Sequence, residues 1–263
     1  MRTLLPFLLV STLLAGAPFA QTYISGPVTT DTIWNAAGSP YVIQADVDVI
    51  DGSTLTIQAG VTVAFDGDFM LSTAWNAAIV AAGAPGDRVL FTSNAGVPQT
   101  NDWKWVVVSG PNPSSLAHCT FEYAEQGFRA GNAEPTISHC VIRHCSTGIY
   151  CANASPTIEH SEVTACGTAI WIHGNASDPV INTNNIHDNS SWSVYVTGFP
   201  EPAVTIDAQN NWWGTTDGAE IALDIKDSND DPDLYATIDF DPWLGAMSTV
   251  EMSWGGVKAL YER

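Results

Sequence analysis

Leu116-Ala-His-Cys-Thr-Phe121 is followed along the chain by three similar hexapeptides, Ile137-Ser-His-Cys-Val-Ile142, Ile158-Glu-His-Ser-Glu-Val163 and Ile181-Asn-Thr-Asn-Asn-Ile186. Their first residues are 21, 21 and 23 positions apart, and a second apolar residue follows each first residue by 12 or 13 positions. A repeat of this length, built from short apolar pairs without a helix-length segment, is typical of one coil of a β-solenoid. A single coil cannot bury its inward side chains, so similar coils stack and share a core. The sequence therefore predicts an all-β solenoid.

Three other stretches resemble a known family. Pro179–Ile186 is similar to the coil pattern P-x-I-x-N-N-x-I, and Thr54–Phe65 to a common first-coil sequence of the form T-L-T-I-x-x-G-V-x-V-x-F. Asn210–Gly214, followed by Ile238–Leu244, is similar to a common ending. Over most of residues 41–244 the chain thus resembles the right-handed parallel β-helix repeat proteins of secreted bacterial origin. The resemblance implies a right-handed parallel β-helix with N- and C-terminal caps.

The N-terminus has the pattern of a secretory signal peptide. A single charge at Arg2 precedes an apolar run over Leu4–Leu14 and small residues before Gln21, where we expect cleavage. The apolar run is too short to span a membrane, so we expect no transmembrane segment and a secreted, periplasmic or cell-surface location. The predicted segments are a signal peptide (1–20), an N-terminal cap (21–40), parallel β-helix coils (41–206), a C-terminal cap with an acidic loop (207–244), and a flexible tail or sorting tag (245–263).

The charge balance bears on the partners. The chain has 8 Lys and Arg against 28 Asp and Glu, a net charge of −20, and removal of Arg2 with the signal peptide makes it −21. Such acidity argues against nucleic acid and anionic lipid as partners, and it favours solubility or cation binding. No cofactor is required by any motif, and the oligomeric state is not predicted.

The cysteines recur at the repeat spacing. Cys119 and Cys140 are 21 residues apart, as are Cys145 and Cys166, so each pair is expected on neighbouring coils. Rungs about 4.8 Å apart lie within the Cα separation that a disulfide spans. Two interpretations stay open. Either two rung-to-rung disulfides form, with Cys151 left over, or the cysteines are small buried residues that replace the inward Asn columns of the family.

A histidine column and the acidic loop are candidate metal sites. His118, His139 and His160 recur one coil apart, and imidazoles at rung spacing can bind a transition metal. One branch of the family that the chain resembles is a periplasmic protein implicated in copper delivery to nitrous-oxide reductase. The acidic loop alternates oxygen ligands as a calcium loop does, without the glycine and distal glutamate of an EF-hand. Its candidate ligands are Asp227, Asn229, Asp231 and Asp233. The alternatives are a solvated histidine ladder and an exposed polar loop.

An aromatic column is the candidate ligand surface. Tyr150, Trp171 and Tyr195 each follow an inward residue of the repeat, so they are expected on the outer face of one sheet. Such a stripe can stack on the sugar rings of a polysaccharide. The alternative is a ladder of aromatic contacts between neighbouring strands.

Three functions agree with these features. The first is an exported, non-catalytic module that is surface-structural or polysaccharide-binding, and this is the function we predict. The second is a carbohydrate-active lyase or hydrolase, because many right-handed β-helices cleave polysaccharides; no carboxylate pair stands out, so its catalytic residues are unassigned. The third is a periplasmic metal-binding protein that uses the histidine column.

Overall fold

The computed structural model describes residues 21–199 and 202–245. These residues form 25 short strands, one α-helix (α1, Gly218–Leu223) and one 3₁₀ helix (Ala36–Gly38). The strands are numbered in chain order and wind into a solenoid whose three faces are the sheets A, B and C. The predicted signal peptide and residues 246–263 of the predicted tail lie outside the described residues.

Each sheet takes one strand from each coil. In spatial order, sheet A contains β1 (Thr22–Ile24), β3 (Tyr41–Ile43), β6 (Thr62–Phe65), β9 (Val89–Ser93), β12 (Cys119–Glu122), β15 (Val141–Arg143), β18 (Glu162–Thr164) and β21 (Asn185–His187). Sheet B contains β4 (Val47–Val49), β7 (Leu71–Thr73), β10 (Val106–Ser109), β13 (Gln126–Gly131), β16 (Thr147–Ala152), β19 (Thr168–His173), β22 (Trp192–Thr197) and β24 (Ile225–Lys226). Sheet C contains β2 (Thr32–Trp34), β5 (Thr54–Gln58), β8 (Ala78–Ala82), β11 (Ser115–Ala117), β14 (Thr136–Ser138), β17 (Thr157–Glu159) and β20 (Val180–Asn182). A separate pair, β23 (Val204–Asp207) and β25 (Ala236–Asp239), lies beside β20.

Neighbouring strands are parallel and follow the sequence repeat, so Leu116 pairs with Ile137 and Ile137 with Ile158. Because side chains alternate between the two faces of a strand, one set points into the solenoid and stacks in columns. The repeat residues of sheets A, B and C that form these columns are buried: Phe121, Ile142, Val163, Ile186; Phe128, Ile149, Ile170, Val194; Leu116, Ile137, Ile158, Ile181. This architecture confirms the predicted parallel β-solenoid.

All three bends of the coils from residue 116 onward use the left-handed backbone region. Between sheets C and A the residues in this region are His118, His139, His160 and Thr183, with φ of 50°, 56°, 49° and 60°. Between sheets A and B they are Tyr123, His144, Ala165 and Asp188, with φ of 68°, 56°, 51° and 54°. The residue after each bend position turns inward, and from Cys140 onward at the first bend it accepts a backbone N–H of the preceding coil. Asn184 accepts from Ser161, Ser161 from Cys140, and Cys140 from Cys119. The side chains of this column therefore accept hydrogen bonds from backbone N–H groups that have no partner within the strand ladders.

Strand pairing extends past both predicted ends of the coils. Residues 21–40, predicted as an N-terminal cap, supply β1 and β2, which pair with β3 and β5. After residue 206, Trp212 bridges to Asn185 in sheet A and β24 pairs with β22 in sheet B. Trp213 is buried against the core at this end. The segments predicted as caps thus also continue the solenoid, because their backbones pair with the terminal coils.

Candidate functional site

The outer face of sheet B carries one continuous column of side chains. Its members, one on each successive rung, are Asp48, Ser72, Val107, Arg129, Tyr150, Trp171, Tyr195 and Lys226. We call Arg129, Tyr150, Trp171 and Tyr195 the aromatic stripe. The structure brings the three predicted ligand-binding aromatics together on this face, and each is partly exposed. They face outward because each lies between two buried residues of its strand, as Tyr150 does between Ile149 and Cys151.

The rings of the stripe contact one another. The ring centroids of Tyr150 and Trp171 are 5.1 Å apart with an interplanar angle of 87°, and those of Trp171 and Tyr195 are 5.3 Å apart at 47°. The Arg129 guanidinium lies 4.7 Å from the centroid of the Tyr150 ring, a cation–π contact. The stripe therefore presents a mixture of ring faces and edges instead of a flat platform. Its members stabilise one another's orientation and leave part of each ring open to a ligand.

Hydrogen bonds and stacking fix the middle of the stripe. The Trp171 indole Nε1 donates to the Thr197 hydroxyl at 2.8 Å, and that hydroxyl lies 3.0 Å from Nδ1 of His173. On the other side, the ring of Trp192 stacks on Tyr195 at 6.3 Å and 14°. These contacts hold Trp171 in one orientation. Less side-chain entropy is therefore lost when a ligand binds.

A second column of side chains borders the aromatic stripe. Two positions after the stripe on each strand, the register aligns Ser109, Gly131 and Ala152, and this column continues to His173 and Thr197. Alternate residues of a strand share a face, so this column lies on the same outer surface as the stripe. Arg129 and Tyr150 therefore have the short residues Gly131 and Ala152 beside them, whereas Trp171 and Tyr195 have His173 and Thr197.

Sequence reasoning missed Arg129, Trp192 and Lys226. Arg129 precedes Tyr150 by 21 residues, so the repeat spacing contained the signal for it. Lys226 follows Tyr195 by 31 residues because α1 is inserted in that coil, and no fixed spacing reveals its place in the column. The regular repeat thus identified the centre of the surface, while the insertion concealed one end.

The histidine column is formed as predicted. The ring centroids of His118 and His139 are 4.7 Å apart and those of His139 and His160 are 5.1 Å apart. Each histidine occupies a left-handed bend position, where Asn, Asp and His occur more often than other side chains. Burial and the neighbouring imidazole lower the pKa of His118 and of His139, and the Arg88 guanidinium, which donates to the His139 carbonyl, adds to this. His118 and His139 therefore favour the neutral imidazole form.

The lowered pKa values predict a loss of stability in weak acid. Between these values and the ordinary value of 6.5, the unfolded chain binds more protons than the folded one, so the free energy of unfolding falls as the pH falls. We expect the melting temperature to drop between pH 7.5 and 5.5, and His139→Asn to reduce that drop, since Asn tolerates the bend at φ 56°. Thermal melts across this pH range would measure it.

The control for this pH prediction is His144→Asn, which replaces a histidine with the same φ on the other bend. Glu159 raises the pKa of His139 and opposes the effect of burial, so its carboxylate must be left in place in both variants. An unchanged pH dependence in His139→Asn would contradict the assignment to the histidine column.

The first aspartate of the acidic loop stabilises the conformation of the loop. Asp227 is buried, and its carboxylate accepts the backbone N–H of Asn229 and of Ile238, both at 2.8 Å. Asp231 accepts the N–H of Asp233 at 3.1 Å. The loop is therefore not simply an exposed polar loop, because Asp227 ties it to β25. These oxygens are engaged by backbone donors instead of converging on one point.

Within residues 21–199 and 202–245 no three His, Cys, Asp or Glu side chains are grouped as metal ligands, and this holds for the histidine column and the acidic loop. Binding of calcium or a transition metal at either place stays a prediction. A copper or zinc titration that leaves tryptophan fluorescence and the melting temperature unchanged would contradict it for the histidine column.

The cysteines occupy the predicted columns. Cys119 and Cys140 lie on adjacent coils after one bend, and Cys145 and Cys166 on adjacent coils after the other, while Cys151 is in β16. All five are buried free thiols. In the structure the cysteines are unbridged, as in the second interpretation. Their thiols take the place of the Asn or Ser of other coils. Burial raises the pKa of the Cys151 thiol to about 12.

Two of the glutamates on sheet A are engaged in side-chain contacts. The Glu122 carboxylate accepts from Nε and Nη2 of Arg143 at 3.0 and 2.8 Å. Glu162 lies 3.1 Å from Nε2 of His187, whose Nδ1 is 2.8 Å from Asp188. Both glutamates lie on a different face from the stripe, so neither is placed to act on a chain bound to sheet B.

Three parallel sheets wound in a single solenoid define the class of parallel β-helix proteins. Residues 102–212 match the family model of the right handed beta helix region, and residues 26–134 match that of the pectate-lyase like beta helix domain. The two matches together span the coils, and the chain belongs to the right-handed β-helix repeat proteins. Neither the search of curated proteins nor that of solved structures found a match.

In the part of the chain that the structure describes, no helix has the length and apolar character needed to cross a bilayer.

Proposed function

We propose that this protein is an exported, non-catalytic module that binds a polysaccharide along the outer face of sheet B. The observation that carries the proposal is the aromatic stripe, which places Tyr150, Trp171 and Tyr195 on three successive rungs. Exported location is the part of the proposal that rests on the N-terminal sequence alone.

The spacing and the chemistry of the stripe suit a sugar chain. Its neighbouring rings are 5.1 and 5.3 Å apart, close to the advance of one sugar ring in an extended glycan. Partly exposed aromatic rings offer apolar area to the faces of sugars, and the polar edges of Tyr150 and Tyr195 can bond to hydroxyls. The three rings lie on successive rungs, so an extended chain could contact several coils.

The family match agrees with a polysaccharide ligand. Residues 26–134 match a domain described as pectate-lyase like, a description that names an enzyme acting on a polysaccharide. Fold alone does not carry activity from one protein to another. Binding is favoured over hydrolysis because a hydrolase needs two carboxyl groups on either side of the sugar bond, whereas the charged side chains of this column are Arg129, Lys226 and one carboxylate, Asp48, three rungs before Arg129.

Trp171→Ala tests this surface. Trp171 is the central ring, so we expect its removal to weaken glycan binding at least tenfold, about 1.4 kcal/mol, since central aromatic anchors commonly contribute more than this. A glycan array with the full chain would identify a retained glycan, and affinity electrophoresis in that glycan would measure the change. Trp171→Phe should recover part of the affinity.

Trp75→Ala is the matched control, since Trp75 is 60% exposed and lies outside the stripe in the turn after β7. It should bind like the unaltered protein. Equal losses in the two variants, or no retained glycan on the array, would contradict the proposal. New reducing or unsaturated ends in the array samples would show catalysis and contradict the non-catalytic part.

A further inference from the structure

A cleft opens at the bend between sheets A and B, away from the aromatic stripe. It has a volume of about 360 Å³. Its lining includes Thr100, Cys145, Ser146, Cys166 and Gly167. One wall comes from the long connection between β9 and β10, where Thr100 donates to the His144 carbonyl at 2.9 Å and Asn101 accepts from Ser146 at 2.7 Å. This connection therefore reaches across to later coils and encloses the bend.

Two thiols lie side by side at this cleft. Cys145 and Cys166 are equivalent positions of neighbouring coils, held together by the hydrogen bond from the Gly167 N–H to the Cys145 carbonyl at 3.0 Å. Each sulfur points back toward the carbonyl two residues earlier, Cys145 to Arg143 at 3.3 Å and Cys166 to Thr164 at 3.4 Å. The sulfurs therefore stack in the same direction, at a rung spacing that lies within the range of disulfide Cα separations.

The molecule contains a second pair with the same local geometry. Cys119 and Cys140 lie at the other bend, and their sulfurs also point to the carbonyls two residues earlier, at 3.5 and 3.4 Å. All four thiols are buried, and Cys166 is bounded by the Ile142 carbonyl and Asn189 as Cys140 is by the Leu116 carbonyl and Ser161. The two pairs differ in that only Cys145 and Cys166 line the cleft.

We propose that Cys145 and Cys166 form a thiol–disulfide exchange site for small organic disulfides that enter the cleft. The Cys166 thiolate attacks one sulfur of the disulfide RSSR, forms a mixed disulfide and releases RS⁻, which takes up a proton. The Cys145 sulfur, after losing its proton to water, then attacks the Cys166 sulfur and releases the second RS⁻. Two protein thiols are oxidised to one disulfide, and RSSR is reduced to two RSH.

The order of attack follows from the unequal pKa values of the two neighbouring thiols. The Cys145 side chain, with its backbone N–H, lowers the pKa of Cys166 against the effect of burial. Burial and the neighbouring sulfur raise the pKa of Cys145 well above its ordinary value. Since the thiolate is the nucleophile, Cys166 reacts first and Cys145 resolves the intermediate.

Reaction of the full-length folded protein with 2,2′-dithiodipyridine tests the site, because this neutral disulfide releases a thione that is measured by absorbance. We expect fast release of two equivalents of thione, no retained adduct by intact mass, and a peptide map with Cys145 joined to Cys166. The other three thiols should react only in denaturant. In Cys145→Ser we expect one equivalent and an adduct that stays on Cys166.

Cys140→Ser is the matched control, since it removes a thiol of the pair that does not line the cleft. It should leave the two-equivalent reaction unchanged. The peptide map of the unaltered protein tests the proposal by itself. It therefore remains informative even if a variant fails to fold. Equal reaction of both pairs, an adduct retained on the unaltered protein, or release only at the rate of unfolding would each overturn the proposal.

Discussion

Gly110→Ala is expected to be among the most destabilising single substitutions in the solenoid. Gly110 follows β10 with φ +86°, and a Cβ at this position would lie 2.0 Å from the backbone carbonyl oxygen of Trp75. A left-handed conformation costs a non-glycine residue about 1–2 kcal/mol, and overpacking against backbone adds about 1–3 kcal/mol. We expect a total of about 3 kcal/mol, a fall in Tm of roughly 6–12 °C for a chain of this size.

Gly86→Ala separates the two causes. Gly86 has φ +78°, close to that of Gly110, yet nothing lies within 4 Å of the position that an alanine Cβ would take there. Its substitution by alanine should lower the free energy of unfolding only by the cost of the left-handed conformation, about 1–2 kcal/mol. Urea unfolding of the two variants would measure the difference. Equal destabilisation would mean that the coils at Gly110 shift apart freely, contrary to close stacking of the rungs at this bend.

Asn184→Ala is expected to cost about 3 kcal/mol, because a buried donor and acceptor that lose their partner cost about 1–3 kcal/mol each. Asn184 is fully buried; its Oδ1 accepts the Ser161 N–H at 3.0 Å and its Nδ2 donates to the Ile158 carbonyl at 2.8 Å. Alanine provides neither contact. Unfolding in urea would give the free energy, and hydrogen exchange at the Ser161 amide would show the local loss of protection.

Asn184→Ser is the informative comparison. Ser161 occupies the same column one coil earlier, and its hydroxyl accepts the Cys140 N–H at 3.0 Å. A serine at position 184 should therefore restore the acceptor for Ser161 and recover part of the stability that alanine removes. If serine and alanine were equally damaging, the column would act through side-chain volume and not through its hydrogen bonds.

The sequence predicted the positions of the site residues better than their environments. Equal spacing placed Cys145 beside Cys166 and His118 beside His139, because residues one period apart occupy the same place on successive coils. It did not show that the histidines occupy left-handed bends, since backbone conformation depends on how each coil closes. Nor did it show that Asp227 is buried, because its partner Ile238 belongs to a later strand.

The amino-acid sequence by itself determined the solenoid, the inward columns and the central aromatics of the stripe, because each follows from a repeat that stacks like residues. Only the tertiary structure decided which columns are accessible and what borders them. The connection before β10 walls the cleft beside Cys166, and the insertion of α1 brings Lys226 to the end of the stripe. Both features come from segments that interrupt the repeat, and their positions depend on contacts between coils that no periodicity encodes.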